Sequence, residues 1–307
     1  MRLAVLVVTV LCLLSLAACE NAGLATPAPT TITIGGATAM RRVLQDLTAE
    51  YNRQHPDVLF VVRGGGSTIG EDLVRRGEVD LGASTLFPPE QRSEAQNGPV
   101  AADTLVRTPI GIDGLSVIVH PSNNIAELSL VQLRDLFSGR LLDWTALGSD
   151  TGEIQLVSRE DGSGSRILFE TRIMGEERVA LTAVVMPTSR EVVEYVARNP
   201  QAIGYVSRSE VAEWVPEDLE TGAAMGGTAL GAVQVGAPTA APPQVKVLRV
   251  EGRLPTHTDV RSQEYALTQP LYLVANGAPT GKLRQFVDFV LSPAGQAIVD
   301  RYSVRIR

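Results

Sequence analysis

Cysteine is nearly absent from this chain of 307 residues: there are two, Cys12 and Cys19, both before the twentieth position. So few cysteines leave no disulfide framework and no multi-cysteine metal site, and the fold must stand on its core. Histidine is scarce as well, with three residues, and aromatic side chains make up only 5%. An excess of positive charge is also missing. With 27 Lys and Arg against 34 Asp and Glu the net charge is −7, which removes a simple electrostatic case for nucleic acid or an acidic membrane surface. Any anion site has to be local, built from dipoles and a few arginines. The apolar run Leu3 to Leu14 is too short to span a bilayer comfortably, which takes about 20 residues.

What that run does suggest is export. Met1-Arg2 precedes it and Leu16-Ala17-Ala18-Cys19 follows: a charged start, an apolar middle and small residues at the end. The segment resembles a bacterial lipobox. That resemblance implies removal of residues 1–18, lipidation of Cys19 and retention on the extracytoplasmic face of the cell membrane. Cys12 would be lost with the leader, and the remaining length is ample for two domains. Residues 19–30, small, polar and proline-bearing, read as a flexible tether.

The body of the chain alternates strand and helix, an α/β pattern. Strands are expected at 31–34, 58–62 and 79–83, with helices at 39–52 and 69–76 between them. A second unit is expected after Gly111-Ile112-Asp113-Gly114, with strands at 115–119, 155–158 and 202–206 and helices at 130–137, 165–174 and 189–198. From Pro216 to Pro243 the composition turns to Gly, Ala, Thr and Pro, a long surface loop or partly disordered insertion. A strand at 245–250 then leads to a third region, with a strand at 270–274 and helices at 283–290 and 294–302, that looks like a return to the first unit. The expected division is residues 31–111 with 254–307 as domain I and 112–253 as domain II. Two crossings between them, near Gly111–Gly114 and Arg249–Pro255, would form a hinge.

Three turns share one design of strand, small residues with hydroxyls, then helix start. They are Gly35-Gly36-Ala37-Thr38, Gly65-Gly66-Ser67-Thr68 and Asp161-Gly162-Ser163-Gly164-Ser165. Glycine lets backbone N–H groups approach a ligand without a β-carbon in the way. The first N–H groups of a helix lack intrahelical partners and carry partial positive charge. With the hydroxyls of Thr38, Ser67, Ser163 and Ser165 they suit a tetrahedral oxyanion. Arg159, at the end of an expected strand, offers a bidentate guanidinium, and Asp161 could orient it.

These residues, read in order, resemble the substrate-binding proteins of high-affinity phosphate uptake systems. The strongest match is Arg159-Glu160-Asp161-Gly162-Ser163-Gly164-Ser165-Arg166, close to that family's R-x-D-G-S-G-T. Further matches are Asp113 to Asn123, Leu133 to Arg140, Trp144, Ala202 to Val206 and Tyr272 to Gly295. The resemblance implies a two-domain, type II periplasmic-binding-protein-like fold with the ligand cleft between the domains. It implies capture of inorganic phosphate for an ABC importer, docking on its permease subunits, and action as a monomer without cofactor, metal or catalysis. The implied ligand contacts are Thr38, Ala39, Ser67 and Thr68 from the first two turns, Thr85, and Arg159, Asp161, Ser163, Gly164 and Ser165.

One departure bears on selectivity. Where the family carries an acid or an arginine after Gly-Ala-Ser, this chain reads Gly82-Ala83-Ser84-Thr85. An acid there accepts from a protonated phosphate oxygen and repels a fully ionised anion; Thr85 gives no such repulsion. Asp161 remains as the acceptor. Sulfate, molybdate or tungstate is therefore the alternative ligand, and an anion sensor without a transporter the alternative role. A hydrolase would need Ser163 or Ser67 as nucleophile and His55, His120 or His257 as base. Gly162-Ser163-Gly164 is not a nucleophile elbow, which needs glycines two positions either side.

Overall fold

The computed structural model describes residues 28–88, 104–149, 152–215 and 244–306. The leader, Cys19, residues 19–27 of the expected tether and the 216–243 insertion lie outside them.

The first lobe opens with β1 (Thr30–Gly36), where Ile32 and Ile34 alternate into the core. A 3₁₀ turn, Thr38–Met40, leads into α1 (Arg41–Gln54), which buries Val43, Leu44, Leu47 and Tyr51 on one face. That spacing is the helical stripe expected from the sequence, and each such side chain contributes about 1.5–3 kcal/mol of burial. β2 (Val58–Arg63), α2 (Ser67–Arg75) and β3 (Leu81–Ser84) complete a parallel β2-β1-β3 unit.

β4 (Leu105–Val119) then runs through both lobes. Its first part, Leu105 to Gly114, pairs antiparallel with β11 (Thr268–Asn276) of the first lobe; Leu115 to Val119 pairs with β8 (Ala202–Ser207) of the second. The sequence reading starts this strand only at Leu115. Pro109, Gly111 and Gly114 break the apolar alternation upstream. Ile110 is left out of the β11 register, a bulge at the proline of the kind that admits Pro into a sheet.

The second lobe contains β5 (Glu127–Leu128), α3 (Leu130–Phe137), β6 (Gln155–Arg159), α4 (Gly164–Phe169), β7 (Val184–Met186), α5 (Ser189–Arg198) and β8 (Ala202–Ser207). Ser129 starts α3 with a capping box: its hydroxyl accepts from Gln132 N–H while Gln132 Oε1 accepts from Ser129 N–H. The expected 165–174 helix is α-helical only to Phe169; Glu170–Met174 form a π-helical turn. Short α6 (Arg208–Val211) follows β8. The expected strand at 245–250 is two pieces with different partners, β9 (Lys246–Val247) on β4 and β10 (Arg249–Val250) on β5.

The chain returns through α7 (His257–Arg261), β11 (Thr268–Asn276), α8 (Gly281–Leu291), α9 (Pro293–Val299) and β12 (Val304–Arg305). Val260, Tyr265 and Leu267 pack with the second lobe's core, beyond the return crossing read from sequence near Arg249–Pro255. One path of strands, β2-β1-β3-β11-β4-β8-β6-β7, links the lobes. This is the expected α/β architecture: two lobes on one sheet path, with separate cores around Leu44, Leu271 and Phe286 and around Leu136, Phe169 and Tyr205.

Candidate functional site

The three glycine-bearing turns meet where the lobes face each other. Ala37, Thr38, Ala39, Gly66 and Thr85 of the first lobe and Arg159, Ser163, Gly164 and Ser165 of the second line a small, tightly packed pocket. None of these lining residues is a carboxylate. Gly66 adopts φ 85°, and a β-carbon on it would lie 2.7 Å from the carbonyl oxygen of Gly162 in the other lobe. Gly164 is equally constrained, since a β-carbon there would collide with the hydroxyl of Thr85 and stand 2.6 Å from Ser67 Oγ.

Arg159 is 1% exposed. Its Nη2 donates to Thr38 Oγ1 across the cleft at 3.0 Å, and its Nη1 donates to Ser189 Oγ at 2.8 Å. Nε and Nη2 also form a fork on Glu160, at 3.0 and 2.8 Å, with the carbonyls of Met186 and Pro187 as further acceptors. The guanidinium is thus fixed in place and its charge balanced. An anion here would be held by directed N–H and O–H groups more than by net positive charge.

Ser163 caps α4, its Oγ accepting from Arg166 N–H. Ser165, 1% exposed and lining the pocket, has a hydroxyl with no hydrogen-bond partner. A buried hydroxyl left so costs about 1–3 kcal/mol, which a bound oxyanion would relieve. Thr38, Ala39 and Thr85 are likewise buried at the pocket. Ser67 stands just behind it: its Oγ lies 3.3 Å from Thr85 Oγ1 and accepts from Thr85 N–H at 3.1 Å.

Two candidates sit elsewhere. Thr68 has an exposed side chain, and its backbone N–H donates to Gly162 O at 3.1 Å, a contact between the lobes. The Asp161 side chain is 94% exposed and pairs with Arg166 at 2.7 Å. The carboxylate orienting Arg159 is therefore Glu160, the neighbouring residue, and the turn at Gly162 (φ 82°) leaves Asp161 on the outer side.

Sequence reasoning missed Glu160 and Ser189. It also missed Glu71, a buried carboxylate on α2 that accepts from Ser84 Oγ at 2.7 Å and pairs with Arg107 Nη2 at 2.7 Å. Glu71 shares the buried face of α2 with Val74; nothing in the local pattern marks it. The histidines point to other partners: His55 stacks on Tyr51, His120 bonds Ser122, and His257 bonds the Asp300 carbonyl. None of these contacts involves Ser163 or Ser67.

Known proteins resemble this chain over most of its length. The phosphate-binding protein PstS of Bacillus subtilis is 25% identical over 261 residues, covering 85% of this chain and 75% of that one. Its counterpart in Borreliella burgdorferi is 21% identical over 279 residues, covering 88% and 87%. A putative phosphate ABC transporter substrate-binding protein of Clostridium perfringens, solved with bound phosphate, superposes with a TM-score of 0.72 at 25% identity, covering 91% of this chain and all of that one. An ABC-type phosphate transport receptor of Vibrio cholerae shares the fold, with a TM-score of 0.63 at 24% identity, covering 90% and 100%. Residues 23–294 match the PBP superfamily domain, and the chain belongs to that superfamily.

Proposed function

We propose that the chain captures inorganic phosphate outside the cytoplasm and presents it to the permease of an ABC importer, held at the membrane through Cys19. The observation that carries this reading is the interlobe pocket: a fixed guanidinium, the starts of two helices and an orphaned buried hydroxyl converge on one small volume. The relatives whose names describe phosphate binding support the choice of ligand. The contacts are assigned to Arg159, Thr38, Ala39, Thr85, Ser163, Gly164 and Ser165, with Ser67 supporting Thr85. The site stabilises a bound anion and carries out no reaction. Micromolar affinity requires about 8 kcal/mol, within reach of several charge-assisted hydrogen bonds at about 1.5–3 kcal/mol each. Closure follows from the anion bridging the two halves, which bind it together only when the lobes meet.

A second reading, another tetrahedral oxyanion, is favoured by one feature. No carboxylate lines the pocket, so nothing there repels a fully ionised ligand. Calorimetric titration of anion-stripped protein beginning at Glu20 tests both. Tight phosphate binding that persists in excess sulfate supports phosphate capture; equal competition moves the ligand to oxyanions in general; heat from neither overturns the reading.

A further inference from the structure

Arg41 opens α1 three residues after Thr38, and its side chain is exposed. A β-carbon on Gly64 would lie 2.9 Å from Thr38 Cγ2 and 3.6 Å from Arg41 Nη2. Thr38 lines the anion pocket, so the Arg41 guanidinium stands at the rim of that pocket, on the solvent side. Arg63, which ends β2 and precedes Gly64, is exposed as well. Among the described residues neither arginine has a hydrogen bond, an ion pair or a ring contact.

The other arginines around the site are committed. Arg159 is forked on Glu160, Arg166 is paired with Asp161 and Glu170, and Arg190 is paired with Glu194 at 3.1 Å. Arg42 donates to the carbonyl of Ser209 at 3.0 Å and lies over the Tyr302 ring. Glu210 of α6 is the acid set among these groups: it feels the charges of Arg42, Arg190, Arg41 and Arg159, and burial raises its carboxyl. A paired charge acts at a distance only as a dipole, whereas an unpaired one reaches about 8 Å at physiological salt. The inner guanidinium, balanced by Glu160, therefore offers direction but little reach. In a chain of net charge −7, reach has to come from the unpaired arginines at the rim.

We propose that Arg41, reinforced by Arg63, is an outer capture residue of the anion site, drawing the oxyanion to the mouth of the pocket and adding to its affinity through charge alone. This rests on the binding function proposed above. The work is then divided by depth. Directed N–H and O–H groups inside the pocket hold the anion, while an undirected charge at the rim raises its concentration there. The two contributions differ in what they depend on. The inner contacts depend on the shape of the donors and are shielded from salt by burial. The rim contribution needs only a positive charge of any shape, and it is screened by salt because Arg41 stands in solvent.

The test is phosphate calorimetry on the chain beginning at Glu20, at pH 8, with potassium chloride bringing the ionic strength to about 0.01 M and about 1 M, where charges reach about 30 Å and about 3 Å. Wild type is compared with Arg41→Gln, Arg41→Lys, the double variant Arg41→Gln with Arg63→Gln, and Arg284→Gln. Arg284 is exposed on α8 and controls for net charge. At low salt Arg41→Gln is expected to bind phosphate about three- to tenfold more weakly, and the double variant more weakly still. At high salt both should return to within about twofold of wild type. Arg41→Lys and Arg284→Gln should match wild type throughout. Wild-type affinity in Arg41→Gln at low salt would overturn the proposal, as would a loss undiminished at high salt, an equal loss in Arg41→Lys, or an equal loss in Arg284→Gln. Each of those results leaves phosphate capture standing, whereas wild-type protein with no phosphate heat would overturn both.

Discussion

Thr38 and Arg159 meet across the cleft: Thr38 Oγ1 accepts a 3.0 Å hydrogen bond from Arg159 Nη2, tying the first turn of one lobe to the last residue of β6 in the other. The same guanidinium is seated on Ser189 and Glu160, so its direction is set before any ligand arrives.

Arg159→Lys should therefore weaken phosphate binding by about 100-fold. Lysine keeps the charge but not the planar fork, and two charge-assisted hydrogen bonds at about 1.5–3 kcal/mol each are at stake. Calorimetry reads the loss directly, and unchanged affinity would remove Arg159 from the site.

Gly164→Ala should separate folding from closure. The added methyl meets Thr85 and Ser67 of the opposite lobe, while each lobe keeps its own core. The melting temperature should stay within a few degrees of wild type. Phosphate affinity should fall at least tenfold, and X-ray scattering should show no contraction on adding phosphate.

Arg107→Met should cost about 3 kcal/mol in urea unfolding. Both partners of the Arg107–Glu71 pair are nearly buried, and removing the arginine leaves Glu71 the Ser84 hydroxyl and, to balance its charge, the longer 3.5 Å contact to Arg75. Breaking a buried pair from one side is far costlier than losing a surface pair. Stability indistinguishable from wild type would mean that Arg75 alone compensates Glu71.

Asp113 should make the fold less stable as pH rises. Burial makes its carboxyl titrate at about 6 when folded against 3.8 as the ordinary value, so the folded state holds a proton that the unfolded chain has released. The penalty grows between about pH 4 and 6 and is complete above that, amounting to about 3 kcal/mol. Asp113→Asn should be more stable than wild type at pH 8 by up to that amount, and the gap should close towards pH 4. Urea unfolding at both values checks the sign.

Much of this site is legible from the amino-acid order because its requirements are local. A glycine that must admit a neighbouring carbonyl, and a serine that caps a helix, announce themselves within three residues, as at Gly66 and Ser163. Arg159 is legible for the same reason, ending a strand beside a glycine turn. The roles of Glu160 and Asp161 are not. Adjacent acids on one turn are separated only by which side of the chain each leaves, and the turn at Gly162 decides that. Glu71 and the first half of β4 were hidden for a different reason. Their partners Arg107 and β11 stand far along the chain, and pairing at that range leaves no periodic trace nearby.

Because β4 belongs to both lobes, they are joined by a bonded ladder and not by slack chain. The closure proposed above would then be a reorientation about a few residues near Asp113, and the two faces would need no diffusional search for each other. Thr68 N–H and Gly162 O, or Arg159 and Thr38, would come back to the same register each time the proposed closure occurs, at an effective concentration set by the backbone itself. Such a jaw repeats its bite without learning it again.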